Sequence, residues 1–328
     1  MSKKIRWGVL GAARIATVRV IPGMKTCRLA EVTAIASRDL EKAKAAASSL
    51  GIAKAYGSYE ELLADPDIDA VYNPLPNPMH VPWTIRAAEA GKHVLCEKPV
   101  AMDAQEAARL ALVRDRTGVK IGEAFMVHTH PQWLRVVEIV RSGEIGELRA
   151  MVFPFSYNNR DPKNIRNLPN MGGGALMDIG CYPIHLSRWV FGSEPLRLAA
   201  AVSRDPEFGT DRLTSALLEY PSGHALFTVS TQASPYQRTQ ILGSAGRIEV
   251  EIPVNAPNDC PTKLYIQTGE LRTESIPVCD QYELQGDAFS RAILEGGEVP
   301  VPVEEAVKNM AVIDAVFRAG ASGNWERP

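Results

Sequence analysis

Residues Gly8–Ala16 read GVLGAARIA and follow the short apolar run Ile5–Trp7. A helical pattern comes next, so the chain is predicted to open as a β-strand, a tight turn and an α-helix. Gly11 supplies the turn, while Ala13 and Ala16 stand where a GxGxxG/A pattern places its other small residues. Small residues there let backbone N–H groups at the start of the helix approach a pyrophosphate. The segment therefore favours a dinucleotide-binding domain, although its glycine pattern is incomplete.

Length and composition describe an ordinary globular chain. The chain has 328 residues, which is long enough for two domains that each bury a core. Its content of 45% hydrophobic and 23% charged residues is ordinary for a globular protein. The net charge is -2 and no long basic run is present, so we expect neither a nucleic acid nor a membrane as partner. Arg14 interrupts the N-terminal apolar stretch, and no signal peptide is predicted. The 5 cysteines lack CxxC spacing, which favours reduced thiols and a cytoplasmic location.

Strand-like and helix-like segments alternate from Lys4 to about Glu123, as is typical of a doubly wound parallel sheet. Predicted strands are Ile5–Leu10, Glu31–Ala36, Ala70–Tyr72, His93–Cys96 and Lys120–Ile121, and predicted helices include Leu40–Leu50 and Pro82–Ala90. We expect an α/β fold whose first domain, residues 1–125, is a dinucleotide-binding Rossmann domain.

The pattern changes beyond about Val127. Helices are predicted at Gln132–Ser142 and around Leu176–Phe191, and later at Tyr282–Glu295 and Val303–Ala319. Strands are predicted at Leu213–Tyr220, His224–Thr231, Thr239–Leu242, Arg247–Ile252 and Lys263–Gln267, with Pro221–Gly223 as a hairpin turn. Residues 126–328 are therefore expected to form an α+β domain with a large, mainly antiparallel open sheet. We predict that this second domain binds the substrate. Because no third layer is evident to cover the outer face of its sheet, we also predict that it forms a homodimer.

The segment Cys96–Pro99 reads CEKP at the carboxyl end of a predicted parallel strand. Open α/β sheets present ligand-binding groups at that edge, so Lys98 would face the ligand. Pro99 fixes the backbone beside it, in either the trans or the cis form. An isolated lysine at a strand end is otherwise an ordinary solvated side chain.

A second segment, Gly172–Tyr182, reads GGGALMDIGCY. Asp178 and Tyr182 are four residues apart, so on a helix they share one face and can point into one pocket. The glycines allow close approach of backbone or ligand. The plainer alternatives are a helix cap for Asp178 and a half-buried packing role for Tyr182.

Together, the Rossmann start, the EKP sequence and the GGGALMDIG segment resemble the GFO/IDH/MocA oxidoreductases over essentially the whole chain. In that family the EKP lysine and an Asp-xxx-His pair line the catalytic site. Tyr182 stands at the histidine position, which departs from the inositol dehydrogenase pattern. It matches the branch that contains glucose–fructose oxidoreductase, dimeric dihydrodiol dehydrogenase and NADP-dependent xylose dehydrogenases. The resemblance implies that Lys98 and Tyr182 are catalytic and that Asp178 orients the substrate or the tyrosine.

The chemistry of a tyrosine base agrees with this assignment. Removing hydride from a sugar carbinol requires a base for the hydroxyl proton. Free tyrosine has a pKa of about 10, so it needs a partner that favours its ionised form. A lysine ammonium within a few ångströms favours tyrosinate and stabilises alkoxide character on the substrate oxygen. Lys98 is suited to that task.

The choice of cofactor depends on Ser37, Arg38 and Asp39 at the end of the second strand. Asp39 on a ribose hydroxyl would favour NAD. We expect NADP, because a hydroxyl and a guanidinium suit its 2′-phosphate and Asp39 can instead cap the helix Leu40–Leu50. The residues expected to bind the cofactor are Gly11, Ala12, Ala13, Arg14, Ile15, Ser37, Arg38, Asn73, Pro74, His80, Glu97 and Lys98. For His80 a loop-packing role is an equal alternative.

Beside Asp178 and Tyr182, two further residues are candidates for substrate contact. Arg166 is placed to reach substrate hydroxyls or to form a surface ion pair, and His185 to bond a sugar or to pack in the core. His128 and His130 have no carboxylate or thiol cluster near them in sequence, so no metal is predicted.

We expect NADP-dependent hydride transfer on a small sugar, either aldose oxidation at C1 or aldose–aldose oxidoreduction. Alternatives are a dihydrodiol dehydrogenase, a keto-sugar reductase and, in another class, a non-catalytic NADP-binding regulator.

Overall fold

A six-stranded parallel sheet forms the first half of the fold in the computed structural model, which describes residues 3–328. Its strands are β1 (Ile5–Leu10), β2 (Ala30–Ala36), β3 (Lys54–Tyr56), β4 (Ala70–Asn73), β5 (His93–Glu97) and β6 (Ile121–Ala124). They lie in the order β3-β2-β1-β4-β5-β6, which is that of a doubly wound dinucleotide-binding sheet. The predicted parallel sheet is confirmed. The prediction lacked β3, because three half-buried residues are too few to show a period.

Helices α1 (Ile21–Met24), α2 (Leu40–Leu50), α3 (Tyr59–Ala64), α4 (His80–Glu89) and α5 (Ala104–Thr117) connect these strands. Asp39 caps α2 as predicted, since its Oδ1 accepts bonds from the amides of Glu41 at 3.0 Å and Lys42 at 3.3 Å. Asp103 caps α5 in the same way. These local caps explain why α2 begins at its predicted residue.

The chain leaves this unit after Thr129 and returns to it for residues 280–307. Helix α8 (Gln281–Glu295) packs there against β1. The Trp7 indole donates a 3.1 Å hydrogen bond to Ser290 Oγ, and the rings of Trp7 and Phe289 meet edge to face at 5.5 Å. Asp287 accepts a 2.8 Å bond from the Leu29 amide just before β2. A segment from late in the chain therefore completes the first core.

The second unit, residues 130–279 and 308–328, is built on a nine-stranded sheet. Its strands are β7 (Leu148–Asn158), β8 (Arg197–Arg204), β9 (Asp211–Tyr220), β10 (Gly223–Ser230), β11 (Gln232–Gln237), β12 (Thr239–Gly243), β13 (Arg247–Val250), β14 (Thr262–Gln267) and β15 (Leu271–Ile276). The order is β15-β14-β13-β12-β7-β10-β9-β8, with β11 also paired to β7. Within this sheet, only the β7–β10 pair is parallel among the strand pairs of the described residues, so the mainly antiparallel sheet is confirmed. The hairpin turn before Gly223 is confirmed too.

Strand β7 is the central strand of this sheet, and the prediction lacked it. Pro154 interrupts its sequence, and a proline argues against a central strand because it has no N–H to donate. In the structure Pro154 lies where the antiparallel partner changes. The last β12 contact is opposite Val152 and the first β11 contact is opposite Phe155. The missing donor therefore falls in a gap between two partners.

Helices α6 (Pro131–Arg141), α7 (Cys181–Phe191) and α9 (Val303–Ser322) complete the molecule. Of the helices formed by residues 3–328, none has the length and apolar character needed to span a bilayer. A difference from prediction occurs before α7, where Leu176–Gly180 forms a π-helical turn instead of α-helix.

Candidate functional site

The turn after β1 has the geometry that its sequence requires. Gly11 has φ +94°, and a Cβ added to it would lie 3.0 Å from Leu75 Cδ2. Its amide donates to Ala36 O at 2.8 Å, so the turn is tied to the end of β2. Ala12, Ala13, Arg14 and Ile15 follow, and the helix entry is a π-helical turn over Ala16–Val20. Such an entry presents backbone amides at the carboxyl edge of the sheet, as phosphate binding requires.

Ser37 and Arg38 lie where β2 ends. Ser37 is buried and its Oγ accepts a 3.3 Å bond from the Asp39 amide, whereas Arg38 is exposed. The Asp39 carboxylate is occupied by the cap of α2. The exposed cation at this edge is therefore Arg38, while Asp39 serves the helix.

The loop after β4 is held by a buried network. Asn73 Nδ2 donates to His80 O at 3.1 Å and to Thr84 Oγ1 at 3.2 Å, and Pro74 is buried beside it. The His80 ring lies between two carbonyls, with Nδ1 2.8 Å from Pro99 O and Nε2 2.6 Å from Leu75 O. Burial lowers the pKa of His80 to about 4, against the opposing effect of the two carbonyls. His80 thus links this loop to the EKP segment.

The EKP segment follows β5, and its Lys98–Pro99 peptide is cis. The Tyr72 hydroxyl donates a 2.5 Å hydrogen bond to Glu97 Oε1, and Glu97 Oε2 accepts a 3.3 Å hydrogen bond from the Lys98 amide. On the other side, Val100 N donates to Glu123 Oε1 at 2.8 Å. The backbone that carries the half-buried Lys98 side chain is therefore fixed on both sides.

Tyr72 and Tyr282 also belong to this neighbourhood, and neither was predicted as a site residue. Burial, followed by the charge of Glu97, raises the pKa of Tyr72 well above its ordinary value. The same two causes raise the pKa of Tyr282 to about 12, while Arg19 and Lys98 act in the opposite direction. Glu97, next to the lysine, thus acts electrostatically on both phenols.

The glycine segment of the second unit is packed closely against its neighbours. Gly172 and Gly174 have φ +67° and +116°. Gly174 N donates to Arg166 O at 2.8 Å, and a Cβ on Gly173 would lie 2.6 Å from that same oxygen. The glycines allow the loop that carries Arg166 to lie directly on the start of the helical segment.

A polar cluster forms around Asp178 as a result. Its Oδ2 accepts from Tyr157 Oη at 2.6 Å and lies 2.8 Å from Arg166 Nε. The charge of Asp178 raises the pKa of Arg166, and Tyr157 and Tyr182 act in the same direction with smaller effect. The structure therefore brings Arg166, Asp178 and Tyr182 together within the second unit and adds Tyr157.

Tyr157 is a site residue that the sequence analysis missed. It follows Phe153 and Phe155 at alternate positions of β7, which is the spacing of one strand face. That alternating aromatic run would have predicted the strand, but Pro154 concealed it.

Tyr182 and His185 lie deeper than Asp178. Tyr182 is 5% exposed and meets the Phe155 ring edge to face at 6.2 Å. His185 is 2% exposed, and its ring lies 6.5 Å from that of Trp189. His185 is therefore buried on the core side of α7. In residues 3–328, no group of three or more His, Cys, Asp or Glu is arranged to hold a metal ion.

The sheet order and the turn after β1 are those of a dinucleotide-binding Rossmann domain, and this chain joins it to an α+β unit that carries a polar cluster. Residues 5–125 match the oxidoreductase family with an NAD-binding Rossmann fold, and residues 133–249 match the GFO/IDH/MocA C-terminal domain. The chain belongs to the GFO/IDH/MocA oxidoreductase family, as the resemblance predicted.

Three relatives indicate the range of activities around this chain. It is 39% identical to an NADP⁺ D-xylose 1-dehydrogenase of Haloferax volcanii, over 97% of this chain and 98% of the relative. A 3-ketoreductase from Actinomadura kijaniata, solved with NADP and TDP-benzene, is 32% identical with a TM-score of 0.91, over 97% and 98% of the two chains. An aldose–aldose oxidoreductase from Caulobacter crescentus, solved with glycerol, is 28% identical with a TM-score of 0.92, over 99% and 100%.

Proposed function

We propose that this protein is an NADP-dependent oxidoreductase that transfers hydride between the nicotinamide and a sugar, by aldose oxidation at C1 or by aldose–aldose oxidoreduction. The observation that carries the proposal is the cluster that Tyr157 and Arg166 form around Asp178, four residues before Tyr182. Charged and phenolic hydrogen-bonding groups suit a polyhydroxylated substrate.

Tyr182 is the proposed acid/base. In the oxidation, the sugar hydroxyl gives its proton to the Tyr182 oxygen while the C1–H bond breaks. A bound nicotinamide supplies the hydride acceptor. Lys98 is proposed to favour the tyrosinate and to stabilise negative charge on the substrate oxygen. The fixed backbone on both sides of Lys98 supports a positioned role.

Asp178, Arg166 and His185 are assigned by the same proposal to the substrate side. Asp178 orients the substrate or Tyr182, with Arg166 and Tyr157 fixing its carboxylate. His185 is the weakest of these assignments, since its ring is buried at 2% exposure.

NADP is proposed as the cofactor because Arg38 is exposed beside Ser37 while Asp39 is committed to the cap of α2. A guanidinium and a hydroxyl bind a 2′-phosphate, whereas a free carboxylate would favour the hydroxyl of NAD. Gly11, Ala12, Ala13, Arg14 and Ile15 would hold the pyrophosphate, and Asn73, Pro74, His80, Glu97 and Lys98 would lie along the rest of the cofactor. The positive φ of Gly11 and the absence of a larger side chain there fit that group.

A homodimer formed through the nine-stranded sheet is also proposed. Leu226 on β10, Leu213 on β9 and Leu242 on β12 are 42%, 39% and 37% exposed. An open sheet face with such side chains is suited to pairing with a second copy. Sedimentation at micromolar concentration should give a dimer, and a monomer would count against this assignment. The division into residues 1–125 for nucleotide binding and 126–328 for substrate binding and association remains a prediction, as does the cytoplasmic location.

The function is tested by a panel of aldoses, with NADP or NAD, followed through the absorbance of the reduced nicotinamide. The purified protein is first examined for bound nucleotide, because an aldose–aldose enzyme that retains its cofactor would reduce one sugar while oxidising another. If none of the aldoses supports activity, aldose oxidation is rejected. Reduction of a nucleotide-linked keto-sugar would then favour the second candidate, which the likeness to the 3-ketoreductase supports.

A further inference from the structure

The helical segment that holds Asp178 and Tyr182 begins without a cap from its own neighbourhood. Ala175 stands at the N-cap position and its side chain makes no capping bond. The amide of Leu176, the first residue of the π-helical turn, instead donates a 2.7 Å bond to Asp211 Oδ2. Asp211 opens β9, 35 positions further along the chain. The cap therefore comes from the sheet and not from the preceding residues.

Asp211 is itself firmly placed. It is 1% exposed, and its Oδ2 also accepts a 2.8 Å bond from Thr214 Oγ1. A Cβ built on Gly174 would lie 1.9 Å from Asp211 Oδ1, so the last glycine of the segment is required by this carboxylate as well as by its φ of +116°. The Asp178 amide in turn donates to Gly174 O at 3.2 Å. A continuous set of contacts thus runs from Asp211 to Asp178.

A carboxylate at a helix start is favourable, because the first amides of a helix have no partner within it and carry a partial positive charge. Replacing a capping acceptor with alanine commonly costs about 0.5–2 kcal/mol. Here we expect the loss of the capping bond to displace the turn that holds Asp178. An error of about 1 Å in the placement of catalytic groups can reduce a rate by about 100-fold.

We propose that Asp211 is a positioning residue for the reaction: its Oδ2, through the Leu176 amide, holds the π-helical turn so that Asp178 and Tyr182 lie in their working places. This inference rests on the proposed function. Asp211 acts through backbone geometry and does not touch substrate or cofactor.

Three variants test this role. Asp211→Ala removes the acceptor, Asp211→Asn keeps an acceptor oxygen of the same reach, and Thr214→Val removes the other bond to Asp211 as a matched control. We expect Asp211→Ala to lower kcat by about 10-fold to 100-fold with NADP affinity unchanged. Asp211→Asn should recover most of kcat, and Thr214→Val should stay near the wild-type rate. In the proposed mechanism kcat rises with pH as Tyr182 loses its proton, and this rise should shift in Asp211→Ala and return to its wild-type position in Asp211→Asn.

A second readout does not depend on any substrate. Hydrogen exchange of the peptide covering residues 174–182 should become faster in Asp211→Ala and stay protected in Asp211→Asn. If the alanine variant does not fold, Asp211→Ser takes its place, because its hydroxyl is one bond shorter and cannot reach the Leu176 amide. Unchanged protection in the alanine or serine variant would overturn the proposal, and so would an asparagine variant as slow as the alanine one. If the wild type oxidises no sugar but the variants show the expected differences in hydrogen exchange, the proposed function is rejected and the structural role of Asp211 is retained.

Discussion

The two glycine turns of this protein have similar backbones but differ in what meets their amides. Gly11 leads into the π-helical turn Ala16–Val20, and Gly174 leads into the π-helical turn Leu176–Gly180. After Gly11, no side chain in the described part of the chain accepts a bond from the turn's amides, whereas after Gly174 the carboxylate of Asp211 accepts the Leu176 amide. The first, open turn leaves its amides available to the anionic ligand proposed above, while in the second, closed turn the Leu176 amide is bound by a carboxyl group of the protein itself.

The largest expected effect concerns the two proposed catalytic residues, Tyr182 just after the closed turn and Lys98 in the EKP segment. Tyr182→Phe should lower kcat by about 100-fold to 10,000-fold with little change in NADP affinity, because a positioned acid/base is lost. Lys98→Ala should be at least as damaging. If the two residues act as one unit, the double variant will be little worse than the poorer single variant. Steady-state rates together with nucleotide titrations measure both quantities. A phenylalanine variant with near-normal turnover would remove Tyr182 from the mechanism.

The next effect concerns the ligand of the open turn. Arg38→Ala should weaken NADP binding by about 10-fold to 100-fold, the range for one hydrogen bond to a charged group, and should barely change NAD binding. Lys42→Ala is the matched control, since it removes an exposed cation from the start of α2, four residues after Arg38. Calorimetry with both nucleotides gives the comparison. Equal losses for the two nucleotides would contradict NADP specificity.

A smaller effect should follow from the carboxylate that closes the second turn. Burial raises the pKa of Asp211 to about 6 from 3.8, against the charge of Arg204 on β8 and the bonds from Leu176 and Thr214. The folded state therefore holds a proton that the unfolded state releases. The contribution to stability is present below the unfolded value and is lost as the pH rises through about 6.

Asp211→Asn should remove this pH dependence. Between pH 4 and 6, the free energy of unfolding of the wild type should fall relative to the variant by up to about 1.4 kcal/mol per pH unit. Urea unfolding at several pH values measures the difference, with Thr214→Val as a control that keeps the carboxyl group. Parallel curves for wild type and Asp211→Asn would show that this carboxyl is not perturbed.

The smallest effect is expected at Gly11. Gly11→Ala and Gly118→Ala both place a side chain at positive φ, and each should cost about 1 kcal/mol of stability. A Cβ at Gly118 meets no atom within 4 Å, whereas at Gly11 it meets Leu75 at 3.0 Å beside the open turn. Only Gly11→Ala should therefore weaken NADP binding. Equal NADP affinities in the two variants would mean that the turn does not contact the nucleotide.

Features determined by local sequence were predictable. The cap of α2 by Asp39 needs only the residues beside it, and β1 shows its apolar run and its turn together. The cap of the second turn is different, because Asp211 is distant in sequence and only the folded sheet brings it to Leu176. Tyr157 was missed for a related reason, since Pro154 is compatible with β7 only where two partner strands meet. The sequence therefore indicates candidate residues for the chemistry, while the groups that position them depend on tertiary contacts.

The return of α8 to the first unit has a consequence for synthesis. Trp7 leaves the ribosome early, but Phe289 and Ser290, which cover it, follow about 280 residues later. Translation at about 5–20 residues per second leaves that indole uncovered for on the order of 15 to 60 s. The apolar surface of the nascent Rossmann sheet therefore stays exposed while residues 130–279 of the second unit are synthesised. A chain that stalls before Asp280 would be a substrate for chaperones and proteases, even though every strand of its first sheet has already been synthesised.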